Sequence, residues 1–171
     1  MVFLNIAFLC LLVTIAFQDF KYRAIRFWTI PVLLIIVFTI NTIGQPFSFF
    51  MSNTLINLAI LLLNFAVVSI YFAIKNRSFK SIINCQIGIG DILFIAVLAF
   101  LFIPAELIVF LTFSFIIILF SYAILISLKK DTKKEIPLAG GLSLILAMLW
   151  VYKMVFSTKV QSILPISVNL W

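Results

Sequence analysis

The sequence predicts an all-α, polytopic membrane protein: a single membrane-embedded domain over residues 1–171, built as a bundle of six transmembrane helices with the N-terminus outside. Three observations carry that prediction. Hydrophobic residues make up 65% of the chain and charged ones 10%, and the mean hydropathy is +1.34. A soluble domain is about half apolar and about a quarter charged, so this chain has too few polar side chains to cover a water-facing surface. The apolar residues gather into six runs, and a helix of about 20 of them crosses roughly 30 Å of hydrocarbon. Finally, the basic residues sit between alternate runs.

The first run, about Val2 to Phe17, has no basic stretch before it and no small-residue cleavage site after it. It therefore reads as a retained helix, not a removed signal peptide. The polar stretch Gln18 to Arg26 closes it. The second helix is expected over Phe27 to Ile43, with Pro31 tolerated in its first turns, and Gly44-Gln45-Pro46 makes the turn out. A third runs from about Thr54 to Ile74 and is followed by the basic stretch Lys75 to Lys80. The fourth is short, Asp91 to Ile103, and ends at the turn Pro104-Ala105-Glu106. The fifth spans Leu107 to Leu128 and is closed by Lys129 to Glu135. The sixth runs from Pro137 to about Val155, leaving a tail with Lys159 and Trp171 that suggests an interfacial segment.

Ten of the twelve Lys and Arg residues fall in the stretches after helices one, three and five: Lys21, Arg23, Arg26; Lys75, Arg77, Lys80; Lys129, Lys130, Lys133, Lys134. The turns around Pro46 and Pro104 hold none. Short loops rich in Lys and Arg stay cytoplasmic, which fixes the predicted orientation. The formal net charge of +7 thus reports topology, and nucleic-acid binding is a poor reading of it.

Rare residues narrow the chemistry. With no histidine, serine–histidine and cysteine–histidine catalysis and imidazole metal sites are out of reach. Cys10, inside an apolar run, reads as a buried small hydrophobe and Cys85 as a lone thiol; together they form no metal motif and no disulfide framework. No cofactor or metal is expected.

Of five acids, Asp131 and Glu135 lie within a basic loop and Glu106 in a turn. Asp19 and Asp91 differ: one ends the first helix, the other begins the fourth, both on the predicted cytoplasmic side. A carboxylate at such a place is costly without a partner or a purpose. An ion pair with Lys21 or Arg23 is the plain account of Asp19, and helix capping that of Asp91. Gly88 and Gly90, two of only five glycines, immediately precede Asp91. They suggest a backbone that bends or approaches something closely. Two carboxyl groups on one membrane face, with no other catalytic side chain on offer, point to aspartyl protease chemistry. Brought close, they cannot both ionise comfortably, and the pair can share one proton while activating a water.

Asp19 within DFKYRAI, Gly88-Ile89-Gly90-Asp91 within IGIGDILF, and EIPLAGGL from Glu135 to Leu142 resemble the type IV prepilin peptidases, membrane aspartyl proteases of the GxGD kind. The resemblance implies cleavage, at the cytoplasmic face of the cytoplasmic (inner) membrane, of the class III signal peptide of pilin-like precursors, after a glycine preceding their hydrophobic stretch. It implies Asp19 and Asp91 as the catalytic pair, with Gly88 and Gly90 shaping the loop that presents Asp91. Lys21 and Arg23 would support Asp19, and Pro137, Leu138 and Gly140 would correspond to the family's proline-containing segment. Partners would be the precursor's leader and first hydrophobic helix, together with the bilayer. Two departures stand out. Ile92, Leu93 and Phe94 follow the aspartate where many members carry a lysine, and no cysteine-paired N-terminal domain precedes the first helix, so peptidase activity without N-methylation is expected. The alternative reading is a non-catalytic integral subunit of a pilus or secretion assembly platform, or a small transporter.

Overall fold

In lipid a backbone amide has no water to bond, so apolar runs of this length close their hydrogen bonds within themselves as helices. The computed structural model follows that rule; it describes residues 2–76, 88–128 and 137–163. It contains six helices: α1 (Val2–Tyr22), α2 (Thr29–Gly44), α3 (Phe47–Asn76), α4 (Ile89–Leu98), α5 (Pro104–Leu128) and α6 (Leu138–Ile163). No strand occurs among the described residues. The chain is an all-helical protein of membrane type. Large apolar side chains cover its outside, among them Phe3 at 83%, Phe120 at 68% and Met148 at 72% exposure. Water would not tolerate that much contiguous apolar surface.

The core is a set of helical stripes. Phe8, Leu12 and Ile15 of α1 meet Ala139, Leu142 and Leu146 of α6, and Leu107, Phe110 and Ile118 supply the stripe of α5. With the buried Ser114 between Phe110 and Ile118, each set repeats at three- and four-residue steps, one face of a helix. α1 packs most extensively on α6; α2 lies against α1 and α4, and α5 against α6 and α3. Phe8 packs on Trp150 with tilted rings, centroids 4.7 Å apart, pinning the middle of that α1–α6 seam.

Four spans are long and apolar enough to cross a membrane: Phe3–Tyr22, Phe47–Tyr71, Pro104–Ile124 and Leu138–Val155. The α2 and α4 helices are shorter apolar helices. At 10 residues, α4 rises only about 15 Å. The expected boundaries shift in consistent ways. α1 continues past Phe17 to Tyr22, α3 begins at Phe47 and not Thr54, and Pro104 to Glu106 form the first turn of α5. α4 starts two residues before Asp91 and stops at Leu98, so the stretch up to Ile103 is turn and not helix. Cys10, expected to be buried, is exposed on the outer face of α1, because the inward stripe of that helix passes through Phe8, Leu12 and Ile15. Cys85, the basic stretch from Arg77 to Lys80, the segment Lys129 to Glu135 and the end of the tail with Trp171 lie outside the described residues.

The early end of α4 is bought with two asparagines. Asn57, fully buried on α3, donates from Nδ2 to the carbonyls of Ala99 at 2.9 Å and Phe102 at 2.6 Å. Asn41 of α2 donates to the Phe100 carbonyl at 2.8 Å. These carbonyls have no partner within a helix. Replacing Asn57 by Leu is expected to lower stability by about 2–4 kcal/mol, since two carbonyls would be left buried and unbonded. Thermal denaturation in detergent measures it, and an unchanged midpoint would refute this role.

Candidate active site

The site begins with the first turn of α6. Pro137 has no N–H, and its carbonyl accepts the Gly141 amide at 3.1 Å, the first bond of the helix. The amides that follow Pro137 have no partner inside the helix. Two of them are taken by carboxylates from elsewhere in the bundle. Asp91 Oδ1 accepts the Ala139 N–H at 2.9 Å, and Asp19 Oδ2 accepts the Gly140 N–H at 2.5 Å. Consecutive residues stand about 3.8 Å apart, so the two carboxyl groups are brought within several ångströms of each other. Residues 72 positions apart in sequence (91 − 19) thus cap one helix jointly. The positive end of the α6 dipole favours negative charge there.

Local sequence explains how each acid arrives. Asp19 stands in the last turn of α1, 6% exposed. Just beyond it the helix stops, with the Arg23 N–H bonded to the Asp19 carbonyl at 3.0 Å. Arg23 itself has φ 54, the left-handed conformation that favours glycine. The buried Gln18 draws the following loop back onto α1 by accepting the Arg26 N–H at 3.0 Å. Asp91 is half-buried in the first turn of α4. It is not the N-cap residue of its own helix, a position that belongs to Gly88, although the Gly88 amide also faces its carboxylate. Its hydrogen bond to Ala139 caps α6 as well.

The glycines serve close approach and not an unusual backbone, for none of the described ones has positive φ. A Cβ on Gly88 would stand 3.2 Å from Asp91 Oδ2, and one on Gly90 would stand 3.3 Å from Ile25 Cδ1. Gly140 is tighter than either of these, with an added Cβ only 2.9 Å from Asp19 Oδ2. Pro137 and Leu138 set the start of α6, and Leu138 packs against the core.

Of the two supporting bases, neither forms an ion pair with Asp19 among the described residues. The Lys21 ammonium lies 5.2 Å from the ring centroids of Phe17 and of Tyr22, so its packing partners are aromatic. Arg23 is near enough to attract Asp19 through space. Its left-handed backbone costs a side-chain-bearing residue about 1–2 kcal/mol. Arg23→Gly is therefore expected to raise stability by about 1 kcal/mol, read as a higher melting temperature in detergent. A fall would mean that the guanidinium contributes more than the strain removes.

Sequence reasoning did not single out Gln18 or the Ala139 amide. Gln18 carried a signal, a polar residue directly before the acid; a backbone donor carries none.

The family model for the type IV leader peptidase family matches residues 6–124. That span holds Asp19, Gly88, Gly90 and Asp91, and ends before Pro137. No curated protein and no solved structure gives a significant match to the chain.

Proposed function

The chain belongs to the type IV leader peptidase family, and from that premise we propose that it is an aspartic endopeptidase cutting the leader from pilin-like precursors at the cytoplasmic face of the inner membrane. The observation that carries the proposal is the convergence of Asp19 and Asp91 on consecutive amides of α6. A carboxylate offers about four lone-pair sites. One hydrogen bond to α6 on each side chain therefore leaves oxygen free to hold a water between them.

A helix N-terminus supplies roughly half a positive charge. One negative charge shared by two carboxyl groups suits it better than two. In the proposed reaction, the ionised aspartate takes a proton from the water as its oxygen bonds to the scissile carbonyl carbon. The protonated aspartate donates to the carbonyl oxygen. Collapse of the tetrahedral adduct breaks the C–N bond, and the amine departs with a proton from the pair. The two carboxyl groups titrate as one unit, so the roles belong to the pair.

Orientation rests on the charge pattern. Asp19 and Asp91 stand at the end of the bundle where α1 ends and α4 and α6 begin, the end carrying Lys21, Arg23 and Arg26. Basic segments are retained in the cytoplasm. The leader of a precursor would meet the pair there, its hydrophobic stretch lying in the bilayer beside the bundle.

The test is direct. Purified protein reconstituted with a pilin-like precursor should yield one new N-terminus, mapped by mass spectrometry, just after the glycine that precedes the hydrophobic stretch. An intact, folded protein that leaves such precursors whole would overturn the reading. Because both carboxylates also cap α6, a structural role in an assembly-platform subunit is the second reading. It predicts stable association with the precursor and no cut.

A further inference from the structure

At the opposite end of the bundle a cleft of about 320 Å³ opens between the end of α2, the start of α3, the α4–α5 turn and the second half of α6. Three features of its lining belong together. The Asn53 Nδ2 and the Trp150 Nε1 both line it as buried donors with no hydrogen-bond partner. Polar groups buried in this way and left bare are costly. Glu106 and Lys153 line the same cleft with opposite charges, yet no ion pair joins them; the Lys153 ammonium stands 5.7 Å from the Trp150 ring. The remaining wall is largely apolar and includes the rings of Phe50 and Phe102.

Depth identifies the surroundings. Lys153 lies sixteen residues beyond Pro137 (153 − 137), hence about 24 Å along α6 from the Asp19–Asp91 end. That is most of the roughly 30 Å hydrocarbon slab. The cleft therefore opens near the headgroup level of the other leaflet, where tryptophan is at home.

We propose that this cleft holds a zwitterionic phospholipid bearing a primary ammonium, of the phosphatidylethanolamine kind. Its phosphate and ester oxygens accept from Asn53 Nδ2 and Trp150 Nε1, and its phosphate faces Lys153. Its ammonium faces Glu106, and an acyl chain runs along the aromatic wall. A purely anionic head would leave Glu106 opposed to like charge, and the unjoined Glu106–Lys153 pair fits a ligand carrying both signs. The proposal rests on the membrane-spanning fold and is independent of the peptidase reading.

Native mass spectrometry of the full chain in detergent, titrated with phosphatidylethanolamine or phosphatidylglycerol, tests it. The wild type should retain phosphatidylethanolamine at least about tenfold more tightly, the scale of one charge-assisted hydrogen bond. Glu106→Gln should erase that preference, and Trp150→Phe should weaken retention of phosphatidylethanolamine by about tenfold. Because Glu106 is exposed, its substitution reads out binding without endangering the fold. Equal retention of the two lipids by the wild type, or an unchanged preference in Glu106→Gln, would overturn the proposal. So would displacement of the lipid by soluble phosphoethanolamine at equal concentration, which would make the free headgroup the ligand.

Discussion

Asp19→Asn and Asp91→Asn, made singly, are each expected to slow precursor cleavage by about 10²–10⁴-fold, the usual worth of a positioned acid or base. Asparagine is the informative replacement because of what the carboxylates do besides chemistry. Its side-chain oxygen accepts an amide hydrogen as aspartate does and caps a helix about equally well. The bonds to Gly140 and Ala139 therefore survive, and the α6 start with them. Alanine would remove cap and acid together, costing about 0.5–2 kcal/mol of stability, and would confuse the two roles. The measurement is the fraction of precursor processed over time, with thermal denaturation as control. Cleavage at the wild-type rate in either variant would end the catalytic assignment. Loss of folded protein in both would favour a structural one.

The second large effect is expected at Gly140, where one methyl group should separate two helices. In Gly140→Ala the new Cβ would meet Asp19 Oδ2 at 2.9 Å, Asp19 Cβ at 3.2 Å and Phe20 Cε2 at 3.2 Å. A carboxylate can swing away; a Cβ attached to the α1 backbone cannot. α1 must shift from α6, and the Gly140 amide lengthens its bond to Asp19 as it does so. Overpacking of this kind costs about 1–3 kcal/mol. Cleavage should fall at least about tenfold beyond what the stability loss explains, because misplaced catalytic groups are heavily penalised. Gly141→Ala is the companion experiment. Its Cβ would strike Ile118 of α5, at 2.7 Å from Cγ1 and 2.8 Å from Cδ1, with neither acid among its nearest contacts. It should lose stability and keep the cleavage rate per folded molecule, with Ile118→Ala restoring the lost stability. If Gly140→Ala cleaved as fast as Gly141→Ala per folded molecule, the close α1–α6 contact would not matter for the site.

The helices were legible because apolar runs between basic stretches admit few other forms in lipid. The misplaced ends share a cause. Gln18 and Asp19 are polar but buried, so hydropathy falls at Phe17 while the helix continues to Tyr22. Asn53 and Thr54 lower the hydropathy at the start of α3 in the same way, although both lie within the helix. Hydropathy reads a polar residue as an exit from the membrane; inside a bundle it marks an inward face. Pro137 and the Gly140–Gly141 pair were visible as a motif, but the reason for them was not. The proline leaves the next amides open, and a glycine lets α1 come near enough to use one. Such backbone groups have no letter of their own. The left-handed turn at Arg23 was likewise unreadable, since glycine is its ordinary signature.

The joint cap also sets a tolerance. Neither α1 nor α4 alone fixes the gap between the acids, because each is gripped by a neighbouring rung of a third helix. The first turn of α6 thus serves as a gauge block. One acid can slide past the other only after an adjacent rung lets go.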